Sequence, residues 1–126
     1  MLVVISPAKT LDFDTPLALD RHTLPEHLAD TDELVRIMRR KKRADLQALM
    51  GISDKLAELN VARYRGWQAD PAADARQAVL AFMGDVYTGL DARTLSRRDL
   101  DFAQKHLRIL SGLYGVLRPL DLIKPY

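Results

Sequence analysis

Reading apolar and polar positions along the chain divides it into short apolar runs and one long helical stretch. Leu2 to Ile5 is a β-branched-rich run stopped by Ser6-Pro7, the pattern of a buried strand delivering a loop at Ser6 to Thr10. From Asp12 to Glu33 the chain is acidic and broken by Pro16 and Pro25, which predicts a loop and then a short helix. Leu34, Val35, Ile37 and Met38 form a helical apolar face that runs into the basic cluster Arg39 to Arg43. Ala44 to Met50 and Ser53 to Tyr64 read as two further helices separated by Gly51-Ile52, and Arg65 to Asp74, with Gly66 and Pro71, reads as a linker.

Beyond that point the pattern shortens again. Ala78-Val79-Leu80-Ala81-Phe82 is a continuous apolar run with the length of a buried strand, ending at Gly84-Asp85. Ser96-Arg97-Arg98-Asp99 has the spacing of a capping box and opens a helix through about His106. Arg108 to Gly112 is a strand or the end of that helix, and Gly112 to Tyr126 is turn-rich around Pro119 and Pro125. These elements predict an α+β fold. Strands near residues 2 to 6, 78 to 83 and 107 to 111 share a mixed sheet, and the helices between about 30 and 64 pack outside it.

Composition narrows the class. At 126 residues, 48% hydrophobic and 29% charged, the chain suffices for a single domain with a real core. The lack of cysteine excludes disulfides, thiolate metal sites and cysteine nucleophiles. The apolar start has no basic n-region and is cut short by Pro7, so neither a signal peptide nor a membrane span is expected, and the cytoplasm is the expected compartment.

Charge then singles out the middle. Between Arg36 and Arg65 lie Arg36, Arg39, Arg40, Lys41, Lys42, Arg43, Lys55, Arg63 and Arg65 against Asp45, Asp54 and Glu58, a net +6 in a chain whose total is +2. That segment surrounds Leu49 to Ala57, where Leu49, Gly51, Ile52, Lys55 and Ala57 match a helix-hairpin-helix pattern and Ser53 replaces its usual second glycine. In such a unit, within residues 43 to 65, Gly51 takes positive φ, Ile52 pins the two helices together, and the second helix presents free N–H groups to a phosphate. Lys55 adds charge, and Ser53 can supply an N-cap hydroxyl. The alternative is an ordinary helix–glycine–helix connection with a solvated basic face. The charge around the hairpin favours nucleic acid, gripped through Gly51, Ser53, Lys55 and the cluster Arg39, Arg40, Lys41, Lys42 and Arg43.

A second constellation comes from three loops that follow apolar runs, Ser6 to Thr10, Gly84 to Gly89 and Ser111 to Pro119. If they converge, Lys9, Asp85, Tyr87, Tyr114 and Arg118 form a pocket in which Lys9 and Arg118 hold a phosphate or carboxylate, Asp85 acts as base or metal ligand, and the tyrosines stack or donate protons. The competing expectation pairs Lys9 with Asp12 and Arg118 with Asp121. His22, His27 and His106 lack carboxylates at ligand spacing, so no metal site and no cofactor is expected.

The segments Ser6 to Leu11, Met50 to Ala57, Gly84 to Leu90 and Leu107 to Asp121 closely resemble the bacterial YaaA peroxide-stress-response family, and the likeness runs from Met1 to Tyr126. Members often carry lysine where this chain has Met83, and a less basic segment where it has Arg39 to Arg43. They also continue well past Tyr126, so the chain resembles an N-terminal portion of a larger unit, with exposed apolar surface or an unpaired strand edge expected. The resemblance implies a cytosolic protein with a mixed α/β fold, a helix-hairpin-helix and a basic cleft. It implies DNA binding and a role in limiting damage from peroxide and loosely bound iron. Protection of double-stranded DNA, gripped without sequence preference, fits these residues better than iron storage. The alternative is an enzyme acting on a nucleotide-like or phosphorylated small molecule near Lys9, Asp85, Tyr87 and Arg118.

Overall fold

The structure, a computed structural model, describes residues 1–16, 19–69 and 74–126. Strand β1 (Val3–Ile5) and strand β2 (Thr10–Leu11) precede three helices, α1 (Leu28–Arg39), α2 (Arg43–Met50) and α3 (Asp54–Gly66). Strand β3 (Arg76–Gln77), helix α4 (Ala78–Ala81), strand β4 (Phe82–Met83) and helix α5 (Asp85–Leu90) follow. A 3-10 turn (Ala92–Thr94), helix α6 (Arg97–His106) and strands β5 (Leu107–Ser111), β6 (Gly115–Leu117) and β7 (Leu122–Ile123) complete the chain. This is an α+β fold of packed helices and small mixed sheets, as the apolar pattern predicts.

Among the described residues the sheets are three, not one. β1 pairs in parallel with β5, and β5 antiparallel with β6; β2 pairs with β4, and β3 with β7. The strand expected over residues 78 to 83 is therefore a correction. Ala78 to Ala81 form a single helical turn, buried on every side, flanked by two-residue strands that belong to different sheets. A short run buried all round carries no periodicity, so pattern alone cannot tell a strand from a helical turn there. Val79 accordingly sits with Leu80 and Ala92 in a small satellite cluster. Leu2 to Ile5 is also corrected: it is a strand, but Leu2, Val3 and Val4 are exposed, and β1 lies at the edge of its sheet. Exposed apolar surface and an unpaired edge are thus both present.

The helices form for local reasons. α1 turns Leu28, Thr31, Val35 and Met38 inward at spacings of three and four. Thr31 adds a hydrogen bond from its hydroxyl to the Leu113 carbonyl at 3.0 Å, which ties α1 to the turn between β5 and β6. α2 and α3 form a hairpin. Gly51 ends α2 in the left-handed region at φ +62°, and its N–H donates to the Gln47 carbonyl at 2.9 Å. Ser53 caps α3 by accepting a hydrogen bond from the Leu56 N–H at 3.2 Å. At α6 the expected capping box is complete: Ser96 Oγ accepts from the Asp99 N–H at 3.1 Å, and Asp99 accepts from the Ser96 N–H at 3.2 Å.

One core cluster joins the helices to the strands, with Val35, Leu46, Ala57 and Tyr64 meeting Ile109, Leu117 and Ile123. Burying a side chain such as Leu46 contributes about 1.5–3 kcal/mol. Part of the expected linker belongs to this core as well. Trp67 is buried and donates its indole N–H to the Tyr114 hydroxyl at 2.8 Å. Residues 70–73 of that linker, with Pro71, lie outside the described residues, as do residues 17–18 of the expected loop before α1.

Candidate functional site

The basic segment separates into free cations and structural ones. Arg39 turns inward at the end of α1 and donates to the Tyr64 carbonyl at 2.8 Å and to the Trp67 carbonyl, so it caps the C-terminus of α3. Arg36 pairs with Asp32 at 2.8 Å and Arg43 with Asp54 at 3.0 Å. Arg63 donates to the Tyr126 carbonyl at 3.2 Å. Arg40, Lys41, Lys42, Lys55 and Arg65 are exposed, and among the described residues none has an ion-pair partner.

Arg40, Lys41 and Lys42 occupy the tight turn between α1 and α2, where the Lys42 N–H is held by the Asp45 carboxylate at 2.9 Å. Lys55 stands in the first turn of α3, just after the Gly51–Ser53 connection. Ser53 Oγ satisfies only the Leu56 N–H, and the Ser53 carbonyl accepts from Ala57 at 2.9 Å. The N–H groups of Asp54 and Lys55 therefore stay open to solvent or to a ligand. The Asp54 carboxylate would oppose an anion there, and its pairing with Arg43 offsets that charge.

The pocket constellation is distributed over several surroundings. Lys9 lines a cleft of about 590 Å³ bounded by the Pro7–Lys9 loop, α1, the α2–α3 hairpin, the start of the β5–β6 turn and Tyr126. Tyr87 faces a shallow depression of about 160 Å³ that also holds Asp12 and Arg93. Asp85 is exposed on the first residue of α5. Arg118 binds Asp121 at 3.0 Å and the Leu24 carbonyl at 2.8 Å, which is the structural pairing expected for it. Lys9 does not pair with Asp12. Asp12 instead faces Arg76 at 3.7 Å and Arg93 at 3.2 Å, and hydrogen bonds from Thr15 foremost, then from Asp14, hold its pKa down to about 2.

The Ser6–Thr10 loop meets both others, sharing its cleft with Gly112 and Leu113 of the third and touching the second directly. The Tyr87 hydroxyl donates to the Ser6 carbonyl at 2.6 Å, and Gly84 packs against Ala8, whose Cβ lies 3.6 Å from where a side chain at Gly84 would begin. Tyr87 thus holds the Lys9 loop in place, and burial pushes its pKa up to about 12. Tyr114 is wholly interior. It accepts from Trp67 and from the Lys124 N–H at 2.9 Å, and burial raises its pKa to about 12, so it acts as a core strut.

Pattern reading missed Tyr126, Tyr64, Asn60 and Arg63 as cleft residues. Tyr126 shares a 2.7 Å hydrogen bond with Ser111 and packs edge-on against Tyr114 at 5.5 Å. The helical spacing of Asn60, Arg63 and Tyr64 was the available signal for three of them. His22, His27 and His106 lie apart, engaging the Asp20 carbonyl, Asp30 and the Met1 carbonyl respectively.

An α+β framework carrying an exposed basic helical hairpin is the class these observations define. A family model described as peroxide stress protein YaaA matches residues 1–126. The chain belongs to that family. No helix among the described residues is long and apolar enough to cross a membrane.

Proposed function

We propose that this peroxide stress protein works in the cytoplasm by binding double-stranded DNA through the α2–α3 hairpin, without sequence preference, and so limits peroxide and iron-mediated damage to it. The observation that carries this reading is the helix–Gly51–Ser53–helix geometry. It leaves the N–H groups of Asp54 and Lys55 open beside Lys55 and within one basic segment with Arg40, Lys41 and Lys42. Open amides, the positive end of the α3 dipole and exposed lysines together suit a phosphate oxygen and read no base edge. Arg39 and Arg43 serve the hairpin's own architecture in this reading, and the grip falls to the exposed set.

The test is DNA affinity across salt. Lys55→Glu combined with Lys42→Glu should weaken binding to unrelated duplexes by about tenfold or more. The slope of log affinity against log salt should become shallower by about 0.9 for each phosphate that the variant no longer neutralises. Affinity unchanged in that variant, or insensitive to salt in the parent, removes the hairpin as the site. The alternative of an enzyme acting on a phosphorylated small molecule keeps Lys9 on the large cleft, with Asp85, Tyr87 and Arg118 elsewhere. Its test is peroxide protection by Lys9→Ala in cells, which full protection would sink.

A further inference from the structure

The cleft beside Lys9 is not accounted for by DNA binding. At about 590 Å³ it falls within the roughly 300–1,000 Å³ typical of sites for small organic ligands. The hairpin contributes its apolar side here: Met50, Ile52 and Leu56 line the cleft, whereas Lys41, Lys42 and Lys55 do not. Leu34 and Leu11 extend the apolar wall. Charge on the lining is one-sided. Among the described residues no acidic side chain lines the cleft, and its two charged side chains are Lys9 and Arg63.

Neither cation has an acidic side-chain partner among the described residues. Lys9 has no hydrogen-bond or ion-pair partner among the described residues, and Arg63 meets only the Tyr126 carbonyl. Partial burial lowers the Arg63 pKa, the mark of a cation drawn out of water without compensation. A neutral apolar guest would leave that charge uncompensated. A DNA backbone, a hydrated polyanion with no apolar body, would leave the apolar wall unfilled.

We propose that this cleft binds a small organic anion, with an aromatic or aliphatic body on Leu34, Met50 and Leu56 and its carboxylate, sulfonate or phosphate group on Lys9 and Arg63. Tyr87 and Gly84 anchor the loop that carries Lys9, and the helices supply most of the apolar wall. The charge complementarity is what selects an anion over a peptide or a second copy of the chain.

The test uses two probes that share an anilinonaphthalene body, 1-anilinonaphthalene-8-sulfonate and the uncharged N-phenyl-1-naphthylamine, titrated by fluorescence into the protein. The sulfonate should bind at one site per chain and shift the methyl NMR signals of Leu34, Met50 and Leu56. Lys9→Ala, at an exposed position, should weaken the sulfonate by about tenfold and leave the neutral probe unchanged. Lys9→Arg should restore the sulfonate, and Leu56→Glu should abolish it. Equal binding of both probes with no effect of Lys9→Ala overturns the proposal and leaves a merely greasy surface. Displacement of the sulfonate by duplex DNA overturns it by making the cleft part of the DNA face. A chain that sediments as a dimer and binds no sulfonate overturns it in favour of a second copy.

Discussion

Helices α1 to α3 and the surroundings of Asp121 treat polar groups in opposite ways. In the helices the ties are mostly short in sequence, such as Arg36 to Asp32 and Arg43 to Asp54, and Leu34, Ile37, Leu49, Met50, Leu56 and Leu59 remain exposed. Asp121 is fully buried and accepts from the Thr23 hydroxyl at 2.5 Å, a residue 98 positions away. It also accepts from the Arg118 backbone N–H at 2.8 Å and pairs with the Arg118 guanidinium. Gln104 bridges the same knot, donating to Thr23 at 3.0 Å and accepting from the Leu120 N–H at 2.9 Å. Buried polar groups that satisfy one another fix a scaffold, and exposed polar and apolar groups left over are available to partners. The contrast explains why Arg118, attractive as a ligand cation on sequence grounds, is committed to structure, while Lys9 and Lys55 are not.

The strongest way to break this contrast is at Asp121. Asp121→Ala leaves the Thr23 hydroxyl and the Arg118 backbone N–H without their acceptor, while the Arg118 guanidinium keeps the Leu24 carbonyl and Glu26, and should cost about 3 kcal/mol, read as a lower midpoint in urea denaturation. DNA affinity of the folded fraction should be unchanged. A loss below about 1 kcal/mol would show that the knot is not the scaffold's anchor.

Gly51→Ala probes the other region. No atom lies within 4 Å of an added Cβ, so the only penalty is the left-handed backbone at φ +62°, about 1–2 kcal/mol. Because the turn also aims the α3 N-terminus, DNA affinity should fall while the fold survives, the reverse of the Asp121 result. Parental DNA affinity with reduced stability would separate the hairpin's shape from binding.

The smallest effect concerns acid stability at Asp12, which belongs to neither region and pairs with Arg76 and Arg93. Its folded pKa of about 2 lies below the ordinary 3.8, so its contribution is complete above about pH 5 and is lost as pH falls through 2. Solvent screens this carboxylate, so Asp12→Asn should be less stable than the parent by only about 1 kcal/mol near neutrality. The difference should shrink steadily below about pH 4 and vanish near pH 2. A constant difference across that range would assign the effect to packing rather than to charge.

Local chemistry was legible wherever one element decided the outcome. The Ser96–Asp99 capping box, the stop at Gly51, the cap at Ser53 and the parallel-pairing strands at Val3 and Leu107 each depend on residues within a turn or on a clear apolar run. The three short sheets were not legible. Residues 78 to 81 are buried on all sides, and such a run has no polar face to reveal its period.

The sequence by itself determined the α+β class, the helical hairpin, the concentration of positive charge around it and the family. Tertiary structure alone decided which cations are free. Arg39 and Lys41 are alike in charge and close in sequence, yet one caps α3 through a carbonyl 25 residues away and the other faces solvent. It also brought Lys9, Arg63 and Tyr126 to one cleft, because long-range packing, with no trace in local pattern, sets which side chains end up facing each other.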